Sequence, residues 1–229
     1  MLTDMETGIV NALILSGLFL SLFAVAELLY HCCKVRAEFT RKIVHAGTGL
    51  LALLFPLMLD NHWWVLVLCT SFTILLICSV HFRLLRSIHA IDRRSVGSLA
   101  YPVAVYGCYL SYTFLNNQLI YYYLPVLILA ISDPLAALSG KRWPLGAYQI
   151  RGAHKTMVGS LFFFISAYLI MLVSCLIFRY PLQGQELLVL ALLSIITALT
   201  EALSREGYDN VTIPFAVSAG FYIFDTLPL

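Results

Sequence analysis

Five polar side chains stand out in this chain for what they could hold together: Asp133, Lys155, Glu201, Asp209 and Asn210. Asp133 lies in "ISDPLAALSGKRW", Lys155 in "GAHKTMVGS", and the other three in "ALTEALSREGYDNVTIP". Carboxylates and an amide are hard oxygen donors of the kind Mg²⁺ takes, and a lysine is a point charge for a phosphate. Thr156, Gly159 and Ser160 begin a helix next to that lysine, and the N-terminal N–H groups of a helix favour an anion. As a set these groups suit a magnesium-bound triphosphate better than zinc, haem or flavin.

Each piece also has a plainer explanation. An aspartate inside a membrane segment is a functional candidate by default, yet Asp133 could simply pair with a nearby Arg. Its neighbour Pro134 is expected to break the helix and expose backbone groups that need partners. Asp209 or Asn210 could do no more than cap the last segment. Glu201 and Ser204 are three apart and share a helix face. Ahead of Lys155, the stretch "GKRWPLGAYQIRGAHKTMVGS" could be a basic loop that sets topology. It is not a soluble phosphate loop: His154 stands where that motif needs Gly after Gly152, and no strand is expected ahead of it. Arg41 and Lys42 in "RKIVHAGTG" read as a snorkelling anchor or as an anion site at a helix start, with His45 one turn inside the apolar run. Downstream of Asp92, Arg93 and Arg94, the residues Gly97, Ser98 and Tyr101 open another helix and carry only a weak site signal.

The elements that must position these groups are membrane helices. The chain has 229 residues, 61% hydrophobic and 11% charged, with a mean hydropathy of +0.89, whereas soluble domains carry about 25% charged residues. A hydrocarbon core of about 30 Å takes roughly 20 apolar residues in helix. Seven runs fit, at about 9–30, 43–59, 64–80, 98–115, 119–138, 158–178 and 186–203, and a shorter eighth, 211–226, contains Pro214. The expectation is an all-α polytopic membrane protein of seven or eight transmembrane helices, a single integral membrane domain over 1–229. With eight spans and the N-terminus outside, Lys34, Arg36, Arg41, Lys42, Arg83, Arg86, Arg93, Arg94, Lys141, Arg142, Arg151, Lys155 and Arg205 share one side. Only Arg179 falls on the other. The positive-inside rule makes the crowded side cytoplasmic, and every polar constellation lies there.

Other classes fit less well. The net charge of +2 is spread along the chain, with no polybasic run to suggest a nucleic acid partner. The acidic start, "MLTDMETG", and the long first apolar run read as a retained helix and not as a cleaved signal. None of the six cysteines forms a C-x-x-C pair or a Cys/His metal spacing. There is no hydrolase triad with a credible serine elbow. A transporter would more naturally show an inverted repeat, which is not found.

"RKIVHAGTG", "D-P-x-A-A-x-x-G", "G-x-x-K-T-x-x-G-S" and "E-x-x-S-x-x-G-x-D-N" together resemble the polyprenol kinase family, over about residues 41–214. That family includes dolichol, phytol and farnesol kinases and a CTP-dependent diacylglycerol kinase, and is related to phosphatidate cytidylyltransferases. The resemblance implies a multi-pass enzyme of a prokaryotic plasma membrane or an organelle membrane. It would transfer the γ-phosphate of CTP, with Mg²⁺, to a membrane lipid alcohol on the cytoplasmic face; a homo-oligomer is compatible with this. The nucleotide motif maps onto Asp133, Ala136, Gly140, Gly146, Lys155, Thr156, Gly159 and Ser160, with Arg41, Lys42 and His45 in an accompanying motif. Glu201, Asp209 and Asn210 match the later acidic motif and are the implied metal ligands. Asp133 is the candidate proton acceptor or a further metal ligand, and the lipid tail is expected to leave sideways into the bilayer. A cytidylyltransferase making a CDP-lipid is the rival within this chemistry, although its "H-G-G-x-x-D-R-x-D" ending is not found.

Overall fold

The structure is a computed structural model that describes residues 2–82, 84–89, 96–150 and 153–226. Arg83, Asp92, Arg93, Arg94, Arg151 and Gly152 lie outside the described residues.

Helices dominate, as the composition requires. In order they are α1 (Leu2–His31), α2 (Ala37–Ala52), α3 (Phe55–Met58), α4 (His62–His81), α5 (Arg86–His89), α6 (Gly97–Phe114), α7 (Ile120–Leu127), α8 (Asp133–Arg142), α9 (Met157–Ile177), α10 (Gly184–Leu203) and α11 (Asp209–Thr226). Among the described residues, five segments are long and apolar enough to cross a membrane: Met5–His31, His62–His81, Ile120–Arg142, Met157–Ile177 and Gly184–Leu203. Their outward side chains are apolar; on α9, for instance, Leu161, Ile165, Leu169, Val173 and Leu176 are all exposed. A face of that kind needs a lipid solvent. The expected 43–59, 98–115 and 211–226 are helical but shorter or less apolar. Pro214 does not interrupt α11.

Two prolines reshape expected spans, and each leaves a carbonyl that a distant side chain satisfies. Proline has no N–H and clashes with the carbonyl four residues back. Pro56 therefore separates α2 from α3, and the hydroxyl of Tyr122 donates to the carbonyl of Ala52 at 2.8 Å. The expected break at Asp133-Pro134 does not occur. The chain instead passes through one π-helical stretch, Ile128–Ser132, straight into α8. A π turn is a common device at functional sites. Here it carries Asp133 to the first position of a new helix.

The chain is not purely helical. A two-stranded antiparallel hairpin, β1 (Ala147–Ile150) and β2 (Ala153–Thr156), joins α8 to α9 and pairs Tyr148 with Lys155. This corrects the expectation of a loop with no strand ahead of the lysine. Gly146, at a φ of +62°, makes the turn into β1, a conformation that side-chain-bearing residues resist.

Helix α7 divides the interior. Ile120, Tyr121, Leu124 and Ile128 pack into a core with α9, α10 and α11, while Tyr122, Val126 and Leu129 pack into a second core with α1, α2, α4 and α6. The segment bearing Asp133 is therefore held from both sides.

Candidate active site

A cavity of about 610 Å³ opens between the two halves and takes in most of the sequence-selected groups. Its charged end is lined by the starts of α2 and α6, by α8, by β2 and the start of α9, and by the α10–α11 connection. Its other end is an apolar limb between α1, α2, α4 and α6.

At the charged end, Asp133 is buried (5% exposed) and is met by α2. Lys42 donates from Nζ to Asp133 Oδ2 at 2.6 Å, and His45 Nε2 lies 3.5 Å from the same oxygen. His45 Nε2 is also 3.0 Å from the carbonyl oxygen of Leu129. That carbonyl cannot bond five residues ahead, because Pro134 has no N–H. A carbonyl only accepts, so Nε2 carries the hydrogen in this contact. The hydroxyl of Tyr101 donates to the backbone oxygen of His45 at 3.2 Å and steadies the turn. Residues i and i+3 share a helix face, which is why Lys42 and His45 arrive together.

Across the cavity, Lys155 projects from β2 onto α10. Its ammonium donates to the carbonyl oxygen of Glu201 at 3.0 Å and pairs with the Glu201 carboxylate. Burial opposes that charge, but the carboxylate and its hydrogen bond outweigh burial and hold the lysine above its ordinary pKa. An ammonium has three donors, so one remains beyond these two bonds. The next residue, Thr156, caps α9 by accepting from Gly159 N–H at 3.0 Å.

Close helix contact sets how far apart these two pairs stand. A Cβ on Gly140 would come within 2.5 Å of Thr156 Oγ1, and one on Gly159 within 2.9 Å of the Ala136 carbonyl oxygen. Ala136 and the two glycines thus let α8 and α9 touch. All three also line the cavity, as does Ser160, whose hydroxyl bonds Tyr148 at 2.6 Å.

Asp209 and Asn210 begin α11 and reach the cavity from its remaining side. Asn210 is buried, and its amide donates to the carbonyl of Gly97 at 2.6 Å. A backbone bond from Val96 N–H to Glu206 O, 2.8 Å, runs beside it. Asp209 is half-buried, accepts from Asn210 N–H at 3.1 Å and makes no ion pair among the described residues. Ser204 caps the end of α10 and bonds Thr212 at 2.7 Å.

The structure thus brings Arg41, Lys42, His45, Asp133, Ala136, Gly140, Lys155, Thr156, Gly159, Ser160, Glu201, Asp209 and Asn210 to one cavity, and leaves Gly146 outside its lining. Sequence reasoning missed Thr48, one turn beyond His45, and the ion pair of Lys141 with Glu38, which joins α8 to the first turn of α2. The i, i+3 step from His45 was a signal for Thr48; no sequence signal pointed to the ion pair.

Among the described residues, no three His, Cys, Asp or Glu side chains stand close enough to hold a metal by themselves. Mg²⁺ commonly takes one or two carboxylates and completes its shell with waters and substrate phosphates. Asp209, with no lysine on it, fits that mode; Asp133 and Glu201 are each engaged by a lysine.

No family model and no solved structure matches the chain. Among curated proteins, it is 31% identical over 204 residues to a protein described as phytol kinase from Synechocystis sp., across 87% of this chain and 86% of that protein.

Proposed function

The chain belongs to the polyprenol kinase family, and from that premise we propose that it is an integral membrane kinase for an isoprenoid alcohol of the phytol kind, with CTP as phosphoryl donor. The observation that carries this reading is the shape of the cavity: a charged end continuous with an apolar limb. A phosphoryl transfer to a lipid alcohol needs both in one place, the first for phosphates and the second for hydrocarbon.

In this reading the chain makes eight crossings with its N-terminus outside and its charged end facing the cytoplasm, as the lysine and arginine distribution favours. Lys155 directs its remaining N–H to the donor's β- and γ-phosphates, and the start of α9 presents backbone N–H groups beside it. Lys42 and Arg41 add positive charge on the opposite wall. Asp209 would hold Mg²⁺, with Glu201 and Asn210 beside it, and the ion would supply neutralisation of phosphate charge. Asp133 accepts the proton of the acceptor hydroxyl, and His45 positions that hydroxyl. The transition state of phosphoryl transfer is loose, so positioning and charge do most of the work.

Incubating the purified protein with γ-labelled CTP, Mg²⁺ and a panel of lipid alcohols tests the reading. Labelled lipid monophosphate and CDP are expected. Stoichiometric pyrophosphate with a CDP-lipid, from a phosphate-bearing acceptor, would overturn it in favour of a cytidylyltransferase.

A further inference from the structure

We propose that the apolar limb of the cavity is an internal channel for the hydrocarbon chain of the acceptor alcohol, and that its closed end sets the chain length the protein accepts. This deepens the kinase reading and takes only the head group's identity from it. The sequence-based expectation was a tail leaving sideways into lipid; the structure provides space inside.

Three observations carry the inference. First, α2 lines the cavity with a graded stripe: Lys42 and His45 at the charged end, then Thr48, then Ala52 and, past the break, Phe55. The order is that of a lipid alcohol, charge acceptor first and hydrocarbon last. Second, the Thr48 hydroxyl is buried and has no hydrogen-bond partner among the described residues. Buried polar atoms are nearly always satisfied, and this one sits where charge gives way to hydrocarbon. An alcohol whose hydroxyl approaches Asp133 passes it. Third, the limb ends. Leu68 and Cys69 of α4 and Val105 of α6 line its depth, while Leu59, Val65, Tyr109 and Tyr122 beyond them are packed into the core without lining it.

The length follows from helix geometry. His45 to Ala52 is seven residues and Val80 to Leu68 twelve, so at about 1.5 Å per residue the limb is roughly 10–18 Å deep. That is near half of the ~30 Å hydrocarbon core. A geranyl chain ends well inside it, and a phytyl chain, slightly bent, fills it to its closed end. A polyprenol of many isoprene units cannot be contained and must bend out into the bilayer.

The test uses the full-length protein and a phytol analogue bearing a diazirine at the far end of its tail. Photocrosslinks are expected on Phe55, Leu68 or Cys69, and unlabelled phytol should compete them away, whereas added phospholipid should not. Crosslinks on Val67, Ile74 or Val103, which point outward from the same helices at 54%, 56% and 60% exposure, would overturn the channel. So would displacement by phospholipid, or no crosslink above background. As a second measurement, Cys69→Phe and Ala52→Leu shorten the limb. They should raise the ratio of kcat/KM for geraniol over phytol by roughly ten-fold or more, the scale on which apolar pockets sort added methylenes. Cys69→Ala should move the ratio the other way. Equal loss for every chain length would overturn the length-setting role. If the unmodified protein phosphorylates no alcohol, the kinase reading fails and the crosslink positions alone judge the channel.

Discussion

Lys42 and Asp133, 91 residues apart in the chain, meet inside the protein with Nζ 2.6 Å from Oδ2. Both side chains are nearly excluded from solvent, at 11% and 7% exposure. Removing one partner of such a pair leaves a buried charge uncompensated and costs about 3–5 kcal/mol. Lys42→Met is therefore expected to lower the melting temperature in detergent as well as to stop turnover. The double variant Lys42→Met with Asp133→Asn should regain much of the stability and none of the activity. A melting temperature of Lys42→Met equal to that of the unmodified protein would refute the pairing.

Asp209 behaves differently, because it is half-buried and no lysine is ion-paired with it among the described residues. Asp209→Asn keeps the side-chain oxygen that accepts from Asn210 N–H, so the start of α11 survives. Turnover should fall by roughly 10²–10³-fold, the scale on which one charge-stabilising group acts, with the melting temperature unchanged. Retained activity would remove Asp209 from the proposed metal site.

Lys155 lies near a membrane–water boundary, yet its replacement should cost the fold as well as the chemistry, because Glu201 beneath it has only 6% of its side chain exposed. Lys155→Met should abolish turnover and destabilise together. The lysine's pKa is raised above the ordinary 10.5, so the stability it contributes is fully present below that pH and is lost as pH rises through the raised value. Thermal melts should show the gap between the protein and its Lys155→Met, Glu201→Gln variant steady from neutral to mildly alkaline pH and shrinking only above about 10.5. A gap already closing near pH 8 would contradict the assignment.

Gly159→Ala tests the α8–α9 contact without touching a charge. The added methyl would sit 2.9 Å from the Ala136 carbonyl, and backbone yields less easily than a side chain. A loss of about 1–3 kcal/mol is expected from such overpacking, with KM for the nucleotide rising as Lys155 shifts away from Asp133. Unchanged stability would mean the helices are free to separate there.

Topology is open to a direct check. In a background without the natural cysteines, Ile150→Cys on the hairpin should resist membrane-impermeant thiol reagents in intact cells and label after permeabilisation. Strong labelling from outside would reverse the orientation of the whole chain.

How much of this could be read in the residues depends on the kind of physics involved. Asp133, Lys155, Glu201 and Asp209 were legible because charge beside apolar helices is costly and needs a reason. Which lysine would meet which carboxylate was not legible, since that depends on helix packing across long separations. The π turn was hidden for a similar reason. Pro134 reads as a break unless one knows that His45, 84 residues earlier, will take up the Leu129 carbonyl. Tyr122 does the same for Ala52. The hairpin was missed because its strands are only four residues each and Pro144 and Gly146 precede β1 as they would open a loop.

The bond from Asn210 to the Gly97 carbonyl has a consequence for how the protein is made. Helix α11 follows α2, α6, α8, α9 and α10 in the chain, and it carries both Asp209 and the amide that ties down the start of α6. Until it has been inserted, the cavity lacks one wall and the Asp209 carboxylate, although every other wall is already in place. A nascent or C-terminally clipped chain would thus occupy the membrane without acquiring the ability to spend nucleotide. Among the walls of the cavity α11 is the one synthesised last, and a chain stopped ahead of Asp209 is expected to yield an inserted but inert protein.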